Sequence, residues 1–239
     1  MVQNGQITFY THAYSPYCHR VQIALEEAKA EYTVCTINVM DKPAWYTEKV
    51  NPIGKIPAIT YGGPEAPPED PAPEAAMIPE SAIILEFLAD LFPEAKLLPS
   101  DPVLRAKARL FMAAAETHII EGFRAFFFAR PENAEKVLLD SLEAVQARLP
   151  GEGFAIGEWS IADMAAAPFL ARIDLLLRHD LGRFPVGEGL RVHKVLQGER
   201  FARLRKYLED IKACPSFKAT WDEELQVGIW KQNPVFKRE

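Results

Sequence analysis

The periodicity of the chain changes once, near residue 100, and that change restricts each part to a different architecture. Before it, β-branched runs alternate with helical stripes. Ile7 to Thr11 is a short β-rich run, and Val21, Ala24, Leu25 and Ala28 then recur at i, i+3, i+4 and i+7, one face of an amphipathic helix. Tyr32 to Val39 and Ile56 to Tyr61 are further strand candidates, with a brief one at Met77 to Pro79. From Glu80 onward Ile84, Phe87, Leu88 and Leu91 renew the helical stripe, which Pro93 stops. This order predicts a small mixed sheet with helices on its faces over residues 1–95.

Beyond Pro99-Ser-Asp-Pro102 the strand pattern does not return. Residues 103–129, 132–149, 160–178, 192–212 and 216–225 read as helices, so residues 96–239 are expected to form an all-helical bundle. Its sharpest local signal is Gly157-Glu-Trp-Ser-Ile-Ala-Asp163. Here Ser160 is placed to cap the helix and the Asp163 carboxylate to reach back to it, a capping box. The run Ile161 to Phe169 is apolar nearly all round, which places this helix at the centre of the bundle. Between two strand candidates, Gly62-Gly-Pro-Glu-Ala-Pro-Pro-Glu-Asp-Pro-Ala-Pro-Glu can continue neither strand nor helix, and reads as an exposed hairpin-tip insertion.

A formal net charge of −6 argues against nucleic acid or an anionic membrane as partner. The opening residues lack a basic region followed by an apolar run, and no stretch approaches 18 uninterrupted apolar residues. The three cysteines, Cys18, Cys35 and Cys214, are too few and too scattered for a disulfide framework or a zinc site, so a reducing, cytoplasmic setting is expected and no metal.

Chemistry is concentrated in Ser15-Pro16-Tyr17-Cys18-His19-Arg20, after the first strand. Ser15 is a good N-cap and Pro16 suits the first helical position, so a helix begins here. A helix N-terminus offers free N–H groups and a partial positive charge to a bound thiolate, and the Ser15 hydroxyl adds a donor. Such an arrangement lowers a thiol's pKa and yields a nucleophile at neutral pH. Ser15 acting only as a cap is the structural alternative.

Ser15-Pro16-Tyr17-Cys18 resembles the Cys-Pro-Tyr-Cys site of glutaredoxins with serine in the first position. Asn51-Pro-Ile-Gly-Lys-Ile-Pro57 and Glu80-Ser81 resemble the glutathione-binding motifs of glutathione transferases. Lys42-Pro43-Ala44-Trp45 and the surroundings of Ser15 are similar to the omega class, of the fungal kind. The capping box and Pro215-Ser-Phe-Lys-Ala-Thr-Trp221 resemble the family's helical domain, so the likeness spans nearly the whole chain, in order.

The resemblance implies a thioredoxin-like βαβαββα domain followed by the helical bundle, with glutathione as co-substrate. It implies a cis Ile56-Pro57 bond, the Ile56 backbone pairing with the cysteinyl part of glutathione, Glu80 and Ser81 at its γ-glutamyl end, and Lys42 at its glycine carboxylate. Omega enzymes carry a cysteine where this chain has Ser15. A serine forms no mixed disulfide, so conjugation or peroxidase-type chemistry on small, aromatic electrophiles is expected, with a homodimer as the family's assembly. The second substrate is expected against Tyr14, Tyr17, Met112, Glu116, Phe123, Arg124 and Phe127. Phe126-Phe-Phe128 cannot all face one core, so at least one is expected at the cleft, the dimer interface or solvent. Three alternatives stand beside the transferase: a non-catalytic carrier of aromatic molecules, a scaffold that keeps the fold without glutathione chemistry, against which Ser15, Lys42, Pro57, Glu80 and Ser81 together argue, and a thiol-disulfide oxidoreductase using Cys18. Cys18 is expected to be a passive, largely buried thiol, and His118 is given no role.

Overall fold

The computed structural model of the chain describes residues 5–236 and divides into two compact units between Leu97 and Leu98. The first holds a four-stranded sheet: β1 (Ile7–Thr11), β2 (Thr33–Thr36), β3 (Ala58–Tyr61) and β4 (Ala76–Pro79), in the order β2-β1-β3-β4. β2 runs parallel to β1, whereas β3 is antiparallel to both β1 and β4. The two central strands are buried along nearly their whole length, whereas edge strand β2 is mostly exposed and edge strand β4 mostly half-buried. This explains why Ile-Thr-Phe-Tyr and Ala-Ile-Thr-Tyr read as continuous runs rather than as alternating ones: both faces of the centre are covered.

The parallel β1–β2 pair requires a crossover, supplied by α1 (Pro16–Glu27). The short α2 (Ala44–Lys49) follows β2, and α3 (Ser81–Leu91) follows β4 and packs on α1. Beside α2, Tyr10, Ile37, Tyr46, Val50 and Ala58 form a buried cluster, with Trp45 and Ile56 packed against it. β3 starts only at Ala58 because Pro57 has no N–H to give to a ladder. The proline-rich stretch joins β3 to β4 and folds back on the unit rather than standing free. Tyr10 donates its hydroxyl to the Pro68 carbonyl at 2.8 Å, Lys49 pairs with Asp70, and Ala72 is buried.

The second unit is helical: α4 (Pro102–Ala114), α5 (Ile120–Arg124), α6 (Ala134–Gln146), α7 (Ile161–Arg178), α8 (Glu188–Leu196), α9 (Ala202–Ala213), α10 (Pro215–Thr220) and α11 (Glu223–Gln232). α4 and α5 belong to one rod in which Ala115–Ile119 and Ala125–Ala129 are wound as π-helix. α7 is almost wholly buried, as its composition requires, and its capping box is closed. The expected helix 192–212 is instead two, because the extended backbone at Gly198 (ψ 168°) interrupts it. The expected helix 216–225 is likewise broken: the Thr220 hydroxyl bonds back to the Ser216 carbonyl, and Asp222 opens α11 by accepting from the Leu225 amide. Phe154↔Gly157 and Ile156↔Glu158 make isolated β-bridges before α7, where only loop was expected.

Candidate active site

The strand register gathers three sequence segments at one edge of the sheet. β1 ends at Thr11 and leads through His12 to Ser15. Tyr10 of β1 lies opposite Ala58, so Pro57 enters the sheet beside that exit. Ala58 in turn lies opposite Pro79, so Glu80 and Ser81 leave the sheet at the same edge. Ser15, Ile56-Pro57 and Glu80-Ser81 therefore stand in a row across β1, β3 and β4.

Ser15 is the N-cap of α1, with Pro16 at the first helical position. Its Oγ accepts from the Cys18 amide at 3.2 Å, which leaves the hydroxyl proton available to another acceptor. The turn before it is tied by His12: the Ser15 amide donates to the His12 carbonyl at 3.0 Å, and the Tyr14 amide to His12 Nδ1 at 3.4 Å. The His12 and Tyr14 rings pack at a centroid separation of 4.4 Å. Burial lowers the His12 pKa, keeping the imidazole neutral and Nδ1 an acceptor, and raises that of Tyr14. Tyr17 is half-buried, with the Arg20 guanidinium 5.2 Å from its ring centre. Cys18 is 1% exposed.

The Ile56-Pro57 peptide is cis. The preceding loop is built by two side chains. Asn51 Nδ2 donates to the Lys55 carbonyl at 2.8 Å while its Oδ1 accepts from Ile53, and the Tyr46 hydroxyl donates to the same Lys55 carbonyl at 2.6 Å. Gly54 sits at φ +68°, beside the Thr47 and Lys42 side chains; Lys42 itself is exposed.

Glu80 has φ 69° and ψ 113°, a conformation that is strained for a residue with a Cβ. It is exposed, and it turns the chain so that buried Ser81 starts α3 with the helix amides free at its end. Ser81 Oγ accepts from Nη1 of buried Arg20 at 3.2 Å. His12, Asn51, Tyr46 and Arg20 escaped the sequence reading. Only Asn51 and Arg20 lay within quoted motifs, and nothing in their spacing revealed that they support the neighbouring backbone and Ser81.

In the helical unit, Met112 is buried in α4, Glu116 is exposed in the first π-helical turn, and Arg124 is exposed at the end of α5. Phe123 and Phe127, also expected at the ligand surface, lie in the aromatic interior of this unit. They are 5% and 0% exposed and pack on each other at 5.1 Å, with Phe169, Phe126 and Phe184 around them. Phe128, the third of the phenylalanine run, packs on Trp230 and Phe236 and stays half-buried. Among the described residues no group of three His, Cys, Asp or Glu side chains is arranged to hold a metal, and no helix is long and apolar enough to cross a membrane.

Residues 14–91 match the family described as Glutathione S-transferase, N-terminal domain. The whole fold is similar to glutathione transferase Omega 1C from Trametes versicolor, at 43% identity and a TM-score of 0.92, covering 98% of this chain and 100% of that one. Omega 2S from the same fungus is 49% identical with a TM-score of 0.89, covering 98% and 99%. It has also been solved in complex with 2,4-dihydroxybenzophenone. Pyrimidodiazepine synthase of Drosophila melanogaster is 28% identical over 92% of this chain and 83% of its own length.

At these identities and coverages the chain belongs to the glutathione transferase family, and that membership supports a glutathione-dependent enzyme. Within it the likeness is to the omega class of the fungal kind, and glutathione is the family's co-substrate.

Proposed function

We propose that the chain transfers the sulfur of glutathione to small electrophiles, holding the glutathione thiolate with Ser15 and the N-terminus of α1. The carrying observation is the row of Ser15, Ile56-Pro57 and Glu80-Ser81 along one sheet edge. In this reading the Ile56 main chain pairs with the cysteinyl unit as an added strand. Ser81 receives the γ-glutamyl carboxylate, Glu80 lies near the α-amine, and Lys42 meets the glycine carboxylate. The thiol passes its proton to solvent, and the Ser15 hydroxyl and the free helix amides stabilise the sulfur anion. The thiolate then attacks an electrophilic carbon, a C–S bond forms, and the leaving group departs with its electron pair.

Aromatic electrophiles are favoured by the rings of Tyr14 and Tyr17, which flank Ser15 in the sequence. The benzophenone complex of the related fungal Omega 2S supports an aromatic ligand, and on that observation we keep the non-catalytic carrier as a second reading. Burial of Cys18 speaks against the oxidoreductase. A homodimer in the cytoplasm, whose reducing setting suits a chain with three scattered cysteines, completes the proposal.

The test is conjugation of glutathione to an activated halonitrobenzene, followed by absorbance, in wild type and in Ser15→Ala and Ser15→Cys. Conjugation that falls in Ser15→Ala, and a mixed disulfide that forms only in Ser15→Cys when glutathione disulfide is added, with release of one reduced glutathione, support it. Ligand binding without any turnover moves the assignment to the carrier.

A further inference from the structure

Arg20 belongs to the same helix as Ser15 but faces the other end of the proposed glutathione site. Its side chain is 1% exposed, on the face of α1 that packs against α3, and Nη1 donates to Ser81 Oγ at 3.2 Å. A guanidinium stays protonated in proteins, so α1 delivers a permanent buried positive charge directly behind the first residue of α3. Burying such a charge is costly unless anions or acceptors compensate it.

The hydrogen-bond inventory of Ser81 then decides what this contact does. A serine hydroxyl has one proton and two lone pairs. With a lone pair engaged by Arg20, the hydroxyl is held as an acceptor on its protein side, and its proton is directed to a different acceptor. The cation also polarises the O–H bond and strengthens it as a donor. At the same point the chain turns through Glu80 at φ 69°, so that the Ser81 hydroxyl and the free amides of the α3 N-terminus belong to one short segment.

We infer that Arg20 is a positioning residue that, acting through the Ser81 hydroxyl, makes this end of the site selective for the α-carboxylate of the γ-glutamyl group. The inference rests on the proposed glutathione site and extends it: the helix whose N-terminus faces the thiolate also supplies, one and a half turns later, the charge that recognises the opposite end of the tripeptide. Arg20 does not touch the ligand in this account. It sets the direction and strength of a donor that does.

The experiment compares two ligands on the intact chain by calorimetry: glutathione, and the analogue in which γ-aminobutyrate replaces γ-glutamate and the α-carboxylate is therefore missing. The variants are Arg20→Gln, Arg20→Met (whose unbranched apolar chain suits the buried position), Arg20→Lys and Ser81→Ala. Wild type is expected to prefer glutathione, and Arg20→Gln or Arg20→Met to lose about tenfold of that preference, about the worth of one charge-assisted hydrogen bond. KM for glutathione rises while kcat is largely kept. Arg20→Lys recovers part of the preference, and Arg20→Gln adds little once Ser81 is alanine. Because the preference is a ratio within one protein, a general loss of stability does not mimic it. An Arg20→Met or Arg20→Gln protein that melts earlier but keeps the wild-type preference overturns the inference and leaves the glutathione site standing. A wild type that binds neither ligand, or a Ser81→Ala protein that binds glutathione as wild type does, removes the site itself.

Discussion

The hydroxyl of Tyr207 donates to Oδ1 of Asp163 at 2.7 Å in the interior of the helical unit, where both side chains are fully buried. The same carboxylate accepts from the Ala155 amide at 2.8 Å and from the Ser160 amide at 3.0 Å, which closes the capping box of α7. One acid thus joins the start of α7, the bridge-containing turn before it, and α9.

Burial is the largest influence on Asp163 and raises its pKa from 3.8 to about 6 against the pull of its four donor contacts. The folded state therefore keeps this proton at a pH where the unfolded chain has released it. Stability from this group is fullest below about pH 4, falls as pH rises to about 6, and is level beyond, a change on the order of 3 kcal/mol. Tyr207→Phe removes a donor to the charged form. It should cost roughly 1.5–3 kcal/mol at pH 8 and less at pH 4.5, measured by urea unfolding at the two pH values. A cost that is the same at both would show that the bond does not serve the carboxylate.

Gly122 marks a close helix approach. A Cβ built there would lie 2.9 Å from Ser141 Cβ and 3.2 Å from the Leu138 Cα, so α5 and α6 would have to separate. Gly122→Ala should destabilise the protein by about 1–3 kcal/mol, although alanine is the better helix former. A raised thermal midpoint in this variant would contradict the packing described.

The sheet and the place of α1 were legible because β-branched runs, the Ser-Pro start and the i, i+3, i+4 stripe are local signals. What was not legible depends on contacts between distant residues. The π-helical turns at Ala115–Ile119 and Ala125–Ala129 leave no mark in the periodicity, and the burial of Phe123 and Phe127 depends on Phe169 and Phe184, far away in sequence. The proline-rich stretch looked free because its anchors, Tyr10 and Lys49, are respectively 58 and 21 residues away from the groups they hold. At the site the motif residues were visible, whereas the supports, His12, Tyr46 and Arg20, act through geometry alone. The break at Gly198 was available in the sequence, since a glycine inside a helical pattern is a weak point.

Of the two bonds by which His12 ties the turn that presents Ser15, the one from the Tyr14 amide forms only while Nδ1 is unprotonated. The folded pKa of His12 lies below the ordinary 6.5 through burial, so between the two values the unfolded chain binds more protons. The stability that His12 contributes therefore grows as pH rises toward 6.5 and is lost on acidification. Glutathione turnover should fall on an acid limb with its midpoint below 6.5. That limb should disappear in His12→Asn, whose Oδ1 still accepts from the Tyr14 amide. An unchanged limb in the asparagine variant would assign it to another group.

Asn51 is 2% exposed and holds the loop before Pro57 from both sides. Asn51→Ala removes the donor to the Lys55 carbonyl and the acceptor for the Ile53 amide, which should cost about 1–3 kcal/mol of stability. Glutathione affinity should fall with it, because the Ile56 main chain is positioned by this loop. Calorimetric binding at a temperature where the variant is fully folded checks the second effect separately. Wild-type affinity there would mean that the loop keeps its shape without Asn51.

Ser15 Oγ accepts from the Cys18 amide, and the proposed function requires its proton to be given to the glutathione sulfur. Ultraviolet titration of the thiolate band with glutathione bound tests it most directly, in wild type and in Ser15→Ala. The midpoint is expected below that of free glutathione in wild type and to rise toward the free value in Ser15→Ala, a variant that also loses about 1 kcal/mol of stability with the missing cap. Bound glutathione that titrates as it does free in solution, or a depressed midpoint that Ser15→Ala leaves in place, would contradict it.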